Sequence, residues 1–600
     1  MIKIQKVILI LVLSFLLLFS LSYATKFTDW LKEHNLDEWE YVQIGPGSFY
    51  KKIDIPEIPL SIDIIEIKLK DKYINIDLQK PDNSLYGKGT VSNIVKDEIE
   101  KDRRVVAAIN SSFWESSRRP VGLFIDEGVM YNINNYRSSL IKTKHNKFII
   151  SKTNLNISFS FKRNKIKIDN VNDKGEEDKV VVYTSPFKDE ITLKENEIGI
   201  VVDIGNQKFT PTNKVKGNII KFLEPNQKIT TDKNSVVLIG EKDSIIWLKE
   251  APLNSKVKFY IRNSTFRDDI EFAVTGAPQI VKDGKNIYQG IDEKISESFI
   301  NTSHPRTGCG IAKNKKTIYL VVIDGRQPNF SIGVNLDEFA QLFMKLSSYN
   351  AINLDGGGST TMVVGNQIMN SPSDYTGERI VSDAILLLSQ AKVSNPQIVK
   401  IMNYDNNFSS GSKTRLFAGL FDKTYSPIYK IVGDAYMRSS KETDVNTPLT
   451  PLKRGLENEF ELSCDNEIGK IIDNNTIEFS SEPAAGKIHC SYKQANLQSE
   501  KNIFVQDIDK LLIYPEELNL TVGKNQKIYI NAFDKNNNRL HLENEFINII
   551  SSDKEILDFE NNVIAVPKKE GEGIITIDTG KMVKVLKFNV KSAEKTEEKK

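Results

Sequence analysis

Three cysteines in 600 residues, Cys309, Cys464 and Cys490, are too few for a disulfide-built scaffold. Cys464 and Cys490 fall in one C-terminal segment and are placed to pair after export. Cys309 would then stand alone, and its setting in GCGIA suits a buried small residue rather than a nucleophile. Charge of one sign is also missing. Against 81 Lys and Arg stand 79 Asp and Glu, so the basic stripe of a nucleic-acid partner is absent. A long apolar run occurs once, from Val7 to Leu21, and no second run of spanning length follows it. Three catalytic signatures are lacking as well. The glycine run 356–358 has neither the lysine nor the following helix of a P-loop, and no G-x-S-x-G elbow or H-E-x-x-H helix occurs. Ser359 therefore has no evident base.

What is present begins with Lys3 and Lys6 ahead of the apolar run and Ser22-Tyr23-Ala24 behind it. That is the order of an export signal, with residues 1–24 either cleaved or kept as a membrane anchor. The chain is thus expected to be secreted or held in the cell envelope. With 40% apolar and 27% charged residues the remainder is globular, and its length calls for several domains.

Alternation with period two, as in SIDIIEIKLKDKYINIDL, predicts a β-rich segment over 25–99. A catalytic domain is expected over 100–390, with a lysine-rich β elaboration at about 141–260. Within 270–390 the pattern changes to strand (TIYLVVIDGRQP), helix (NLDEFAQLFMKL), strand (AINL), turn and strand (TMVV). Leu336, Phe339, Phe343 and Leu346 share one helical face, with Asn335 as N-cap and Glu338 three residues on. The expected class is therefore a mixed α/β, or α+β, domain with polar turns at its strand ends. After residue 392 an internal repeat appears. LFAGLFDKTYSPI resembles IYINAFDKNNNRL, and NNTIEFSSEPAAGKI aligns with NNVIAVPKKEGEGII without a gap. Two all-β sandwich modules, 392–506 and 507–592, follow from it, the first with an insertion near 424–450. A charged tail occupies 593–600.

Three polar clusters sit at strand ends. AINSSFW offers Asn110 and Ser111. HPRTGCGIA and IDGRQP offer His304, Arg306, Thr307, Asp324 and Arg326. NLDGGGSTT and its sequel offer Asn353, Asp355, Gly356, Gly357, Gly358, Ser359, Thr360, Asn370, Asp374, Glu378 and Arg379. Each alone reads as turn chemistry, since Asp-Gly is a common turn pair and Arg379 has carboxylates nearby. Together they combine Arg, Asn, Asp and Gly at strand ends, and a glycine run exposes N–H groups that form an anion-binding nest.

The ordered set INSSFW, TGAPQIVKDGK, HPRTGCGIAKNKKTIYLVVIDGRQP, GVNLDEFAQLFMKL and AINLDGGGSTTMVV…NSPSDYTGERIVSDAILL resembles the phosphodiester glycosidase family. The resemblance spans about 100–390 and is most specific over 304–383. It departs at Ser111 and Ser112, where the family usually carries glycines. Module 507–592 resembles bacterial immunoglobulin-like repeats. The family likeness implies cleavage of a sugar-1-phosphodiester at its sugar side, giving free sugar and a phosphomonoester. On that reading Arg306, Arg326 and Arg379 are candidates to clamp phosphate. Asp324, Asp355 and Glu378 are candidates to activate water or flank the anomeric carbon. Asn110, Ser111, His304, Thr307, Asn353, Gly356–Gly358, Ser359, Thr360, Asn370 and Asp374 are the substrate-binding candidates. A divalent cation, Ca²⁺ or Mg²⁺, is compatible with the carboxylates, although no ligand spacing demands one. Two other readings are a non-catalytic glycan-binding or adhesion protein of the envelope and an accessory factor of exopolysaccharide biosynthesis.

Overall fold

A computed structural model describes residues 26–592, apart from 85, 116–118, 134–135, 176–178, 188, 212–213, 266–268, 291–292 and 430–459. The signal segment, the charged tail and most of the insertion near 424–450 lie outside the described residues.

The period-two runs of the N-terminal segment are strands, and they complete the sheets of the 270–390 region. One eight-stranded sheet runs in the order Val42–Gly45, Ser48–Ile55, Leu60–Lys68, Thr317–Ile323, Arg306–Ala312, Ser348–Asn353, Gln279–Lys282, Lys285–Asn286. A five-stranded sheet has the order Gln367–Ile368, Met362–Val364, Arg104–Asn110, Ala384–Ser389, Ile74–Gln79. The 25–99 segment is thus woven into the domain that follows it.

Alternation explains the layering, because successive strand residues face opposite ways. On the eight-stranded sheet Cys309, Ile311, Leu320, Val322 and Ile352 face a core shared with Ile109, Met362 and Ile385 of the five-stranded sheet. Their out-of-phase neighbours Val321, Ile323 and Ala351 pack on the helix Leu336–Lys345 through Phe339, Leu342 and Phe343. The helix Val91–Glu100 covers the far side of the five-stranded sheet. Two sheets therefore sit face to face, each with a helix outside.

The expected α/β core needs correction: the domain is mostly β and both sheets pair antiparallel throughout. The helix Leu336–Lys345 does link Thr317–Ile323 to Ser348–Asn353 as a crossover. Between those two strands, however, Arg306–Ala312 is inserted antiparallel to both. Hydrophobic periodicity finds the strand, helix and strand but carries no information about which strand fills the gap.

The elaboration forms a second eight-stranded sheet of strands between Leu155 and Asn263. A five-stranded sheet joins it to the domain, with Ile270–Thr275 at its centre. The C-terminal repeat is visible as topology. Each module has sheets of three, four and three strands in the same order, and in each an early strand pairs parallel with the last.

All three cysteines are free. Cys464 lies opposite Ile488 and Cys490 opposite Leu462, so the two thiols stand diagonally and pack into separate apolar clusters. The disulfide considered from sequence is not formed.

Candidate active site

The strand ends of the two sheets meet around Asn110, the last residue of Arg104–Asn110. Its side chain is fully buried and ties three segments together. Nδ2 donates to the Asp355 carbonyl at 2.7 Å, while Oδ1 accepts from Thr307 Oγ1 at 2.9 Å and from the Thr361 amide at 3.1 Å. The Asp355 amide in turn donates to the Ser111 carbonyl at 2.9 Å. Ser111 Oγ, Ser382 Oγ and the Ser112 amide all donate to Asp383, a buried carboxylate that sequence reasoning did not single out. Its only sequence signal was its place just before the apolar strand Ala384–Ser389. Thus Asn110, Ser111 and Thr307 do converge on Asp355, as fastenings of its backbone.

The glycine run has a different explanation at each position. A Cβ on Gly356 would lie 2.6 Å from the Pro305 carbonyl oxygen. Gly357 has φ +64° and donates its amide to that same carbonyl at 2.9 Å, and a Cβ there would meet the Arg326 guanidinium at 3.0 Å. On Gly358 a Cβ would fall 2.1 Å from Asp374 Oδ1 and 2.3 Å from Arg379 Nη2. Arg379 and Asp374 form a bidentate pair, Nε to Oδ2 at 2.7 Å and Nη2 to Oδ1 at 2.9 Å. The missing side chains leave room for two guanidinium groups to lie against the backbone beside Asp355.

Asp355 carries the chemically distinctive carboxylate. Burial pushes its pKa up to about 7, opposed by the Ser359 hydroxyl, the Arg379 charge and the Gly356 amide. Asp324 is also raised by burial, to about 6. Its oxygens are already filled, however, by the Ser371 amide at 2.8 and 2.9 Å and by Asn370 Nδ2 at 2.9 Å. Asn370 also donates to the Thr360 carbonyl and accepts from the Met362 amide. Gln327 and Ser371, neither of them expected, exchange two further bonds at 2.7 and 3.0 Å. Asp324 and Asn370 therefore hold the 370–374 loop.

Two catalytic candidates are placed elsewhere. Arg306 is adjacent to Thr307 on one strand, so it points to the opposite face, toward the helices. There it donates to the carbonyls of Val334 at 3.0 Å, Phe299 at 3.0 Å and Thr302 at 2.9 Å. It also stacks over the Phe299 ring, and only 1% of it is exposed. Burial lowers its pKa to about 9. Glu378 turns away too, accepting from the Ser92 amide at 3.1 Å and the Ser92 hydroxyl, so it caps the helix Val91–Glu100. Asn353 is buried beneath the loop with Nδ2 on the Ala277 carbonyl at 2.7 Å. These three serve the frame of the site.

Around the glycines several buried polar atoms have no partner among the described residues: Asn353 Oδ1, Thr360 Oγ1, Thr361 Oγ1 and His304 Nδ1. Orphaned buried groups are costly, and a set of them gathered at strand ends is a mark of a binding surface. Burial, with Arg306 and Arg326 nearby, lowers the His304 pKa to about 4, so its imidazole is neutral at ordinary pH. Among the described residues no group of three or more His, Cys, Asp or Glu side chains could hold a metal ion. The Asp324 oxygens are taken by amide donors and those of Asp374 by Arg379, so these residues do not fit the Ca²⁺ or Mg²⁺ considered from sequence.

Residues 196–388 match the family model for phosphodiester glycosidases. The chain carries a phosphodiester glycosidase domain. The match starts within the elaboration and leaves the INSSFW stretch outside it, although Asn110 of that stretch bonds to Asp355, Thr307 and Thr361 within it. Among curated relatives, the domain is 39% identical over 77 residues to N-acetylglucosamine-1-phosphodiester α-N-acetylglucosaminidase of Bos taurus, covering 13% of this chain and 14% of that protein. It is 33% identical over 88 residues to the SPbeta prophage-derived uncharacterized protein YomE of Bacillus subtilis, covering 15% and 13%. The similarity thus spans about a seventh of the length of these relatives. A solved structure of a hypothetical protein from Synechocystis is similar with a TM-score of 0.49 at 17% identity, covering 59% of this chain and 64% of that one.

Proposed function

We propose that this phosphodiester glycosidase domain hydrolyses the sugar side of sugar-1-phosphodiester linkages, and that it acts outside the cytoplasm on envelope or extracellular glycans. The observation that carries the reading is Asp355, a carboxylate near neutral pKa that feels the Arg379 charge, with the Arg326 guanidinium laid against the glycine backbone that follows it. Arg326 is exposed, and its planar fork suits a phosphate oxygen pair. Arg379, held by Asp374, adds positive charge where the leaving phosphate gathers negative charge.

The step balances simply. Water attacks the anomeric carbon and the bond from that carbon to the phosphate oxygen breaks, its electron pair leaving with the phosphate. The water proton passes to ionised Asp355, which later releases it to solvent. A glycosyl phosphate is a good leaving group, so a second carboxylic acid to protonate it is not required. That suits a site in which the Asp324 oxygens are filled and Glu378 caps a helix. The unpartnered Thr360 and His304 atoms are available to sugar hydroxyls.

The test is release of free sugar from UDP-N-acetylglucosamine and from a panel of sugar-1-phosphodiesters, by wild type and by Asp355→Asn. As general base, Asp355 works ionised, so kcat/KM is expected to rise with pH through about 7. Asp355→Asn is expected to lose ~10²–10⁴-fold of activity while keeping its melting temperature. Equal rates from the folded variant would remove Asp355 from the chemistry.

A further inference from the structure

Two loops carry the guanidinium groups of the site. Arg326 opens the 326–331 turn, in which Gln327 bridges Ser331 and the Arg326 amide reaches the Ile332 carbonyl at 3.4 Å. Arg379 stands on the 370–379 loop. Both loops are touched from outside by the second β-sandwich module, 507–592. Tyr529 OH donates to the Ser373 carbonyl at 3.0 Å and Lys527 Nζ to the Pro372 carbonyl at 3.4 Å. The Arg539 guanidinium lies 3.8 Å from the Phe330 ring centroid, a stacking contact on the other loop. Phe533 and Arg539 line one crevice together with Asn329, Phe330 and Asp54.

The contacts form a chain. On its inner side the 370–374 stretch is fastened by Asp324 and Gln327. On its outer side the next two carbonyls are fastened by Lys527 and Tyr529, and the residue after them is Asp374, which holds Arg379 over Gly358. Pro372 has no backbone N–H, and its carbonyl bonds to the module. The module also reaches the first sheet by way of Asp405 in the first sandwich module. His541 Nδ1 contacts Asp405 at 2.9 Å, and Asp405 in turn faces Lys52 of the first sheet at 3.7 Å.

We propose that the second sandwich module is a working part of the glycosidase site: Lys527, Tyr529 and Arg539 are positioning residues that hold the two arginine-bearing loops in register with Asp355. The module does more than space the enzyme from a surface. This deepens the proposed function and rests on it for the consequence in catalysis, though the mechanical claim stands independently.

The test uses the full chain with Lys527→Met, Tyr529→Phe and Arg539→Ala, singly and combined, and Lys527→Arg as the conservative control. Hydrogen exchange is read first. In the combined variant, amides of 326–331 and 370–379 are expected to exchange at least ~10-fold faster, with those of the Arg306–Ala312 strand unchanged. On sugar-1-phosphodiesters kcat/KM is expected to fall ~10–100-fold, mostly in kcat, because the arginines are displaced by a fraction of an ångström to an ångström. Lys527→Arg is expected to restore most of the loss. Unchanged exchange in both loops overturns the proposal, whatever the activity. Faster exchange with unaltered kcat/KM in an active enzyme also overturns it, since the loops would then need no holding. A wild type that releases no sugar from any substrate counts against the proposed function alone, and the exchange result still decides the clamp.

Discussion

Gly356, Gly357 and Gly358 face three different obstacles, and substitution separates them. At Gly356 a methyl group would meet the backbone oxygen of Pro305, which directly precedes the strand Arg306–Ala312, whereas at Gly358 it would meet the flexible ends of Asp374 and Arg379. Gly356→Ala is therefore expected to cost about 2–3 kcal/mol of stability. Gly358→Ala is expected to cost about 1 kcal/mol or less, because the pair it displaces is partly exposed, yet to lower kcat/KM ~10–100-fold. Thermal melting and sugar release measured on both variants check the contrast, and a folded Gly358→Ala with full activity would refute it. Arg306→Ala belongs to the stability class. Its guanidinium satisfies three carbonyls in a buried setting, so a loss of about 2–4 kcal/mol is expected, seen as a lowered urea midpoint. Much of this was legible in the sequence. Asp355, the glycines, Arg326 and Arg379 were all marked by residue type at strand ends. The parity of Arg306 against Thr307 was also readable, since neighbours on a strand face opposite ways. Which of the two faces belongs to the site was not, because that depends on the sheet packed against it.

Elements show the same division between local and distant information. Asn335 and Glu338 cap the helix Leu336–Lys345 as their spacing foretold, each side chain bonding the other's backbone amide at 2.8 to 2.9 Å. The helix Val91–Glu100 has a box of the same kind, Thr90 with Asn93, but its first turn also receives Glu378 from 286 residues away. No window of sequence reveals that partner, so the carboxylate looked like chemistry. Glu378→Ala is expected to destabilise by about 1–2 kcal/mol through loss of the carboxylate at the helix N-terminus, with sugar release nearly intact. A thousandfold loss of kcat in a folded Glu378→Ala would return the residue to the catalytic list. Strand order was hidden for a related reason. Ile74–Gln79 pairs with Ala384–Ser389, and Leu60–Lys68 with Thr317–Ile323, so the N-terminal segment is structural material for strands some 250 to 310 residues later.

Across the whole molecule the buried carboxylates set how stability responds to pH. Burial raises Asp324 to about 6, Asp355 and Glu338 to about 7, and Asp63 to about 8. From about pH 4 up to those values the folded chain keeps protons that the unfolded chain has lost, so stability falls as pH rises through that window. Asp405 and Asp422 are held below the ordinary range, Asp405 chiefly by Lys52 and His541, Asp422 by Thr424 and Arg104. Their contribution is complete above about pH 4 and is lost only in stronger acid. His304, lowered to about 4, acts in the opposite sense to the carboxylates between about pH 4 and 6.5, one group against four. The melting temperature is therefore expected to decline from pH 5 to pH 8.5. Asp63 is raised furthest of the four, and it lies on the first sheet with Lys52 and Asp324 acting on it. Its Oδ1 accepts the Tyr50 hydroxyl at 2.6 Å and its Oδ2 has no partner. Asparagine keeps the acceptor and removes the titration. Asp63→Asn should thus melt on a shallower slope over pH 5 to 8.5, whatever its offset at pH 5. Parallel curves for the two proteins would mean that Asp63 ionises freely in the fold and that its burial does not govern its proton.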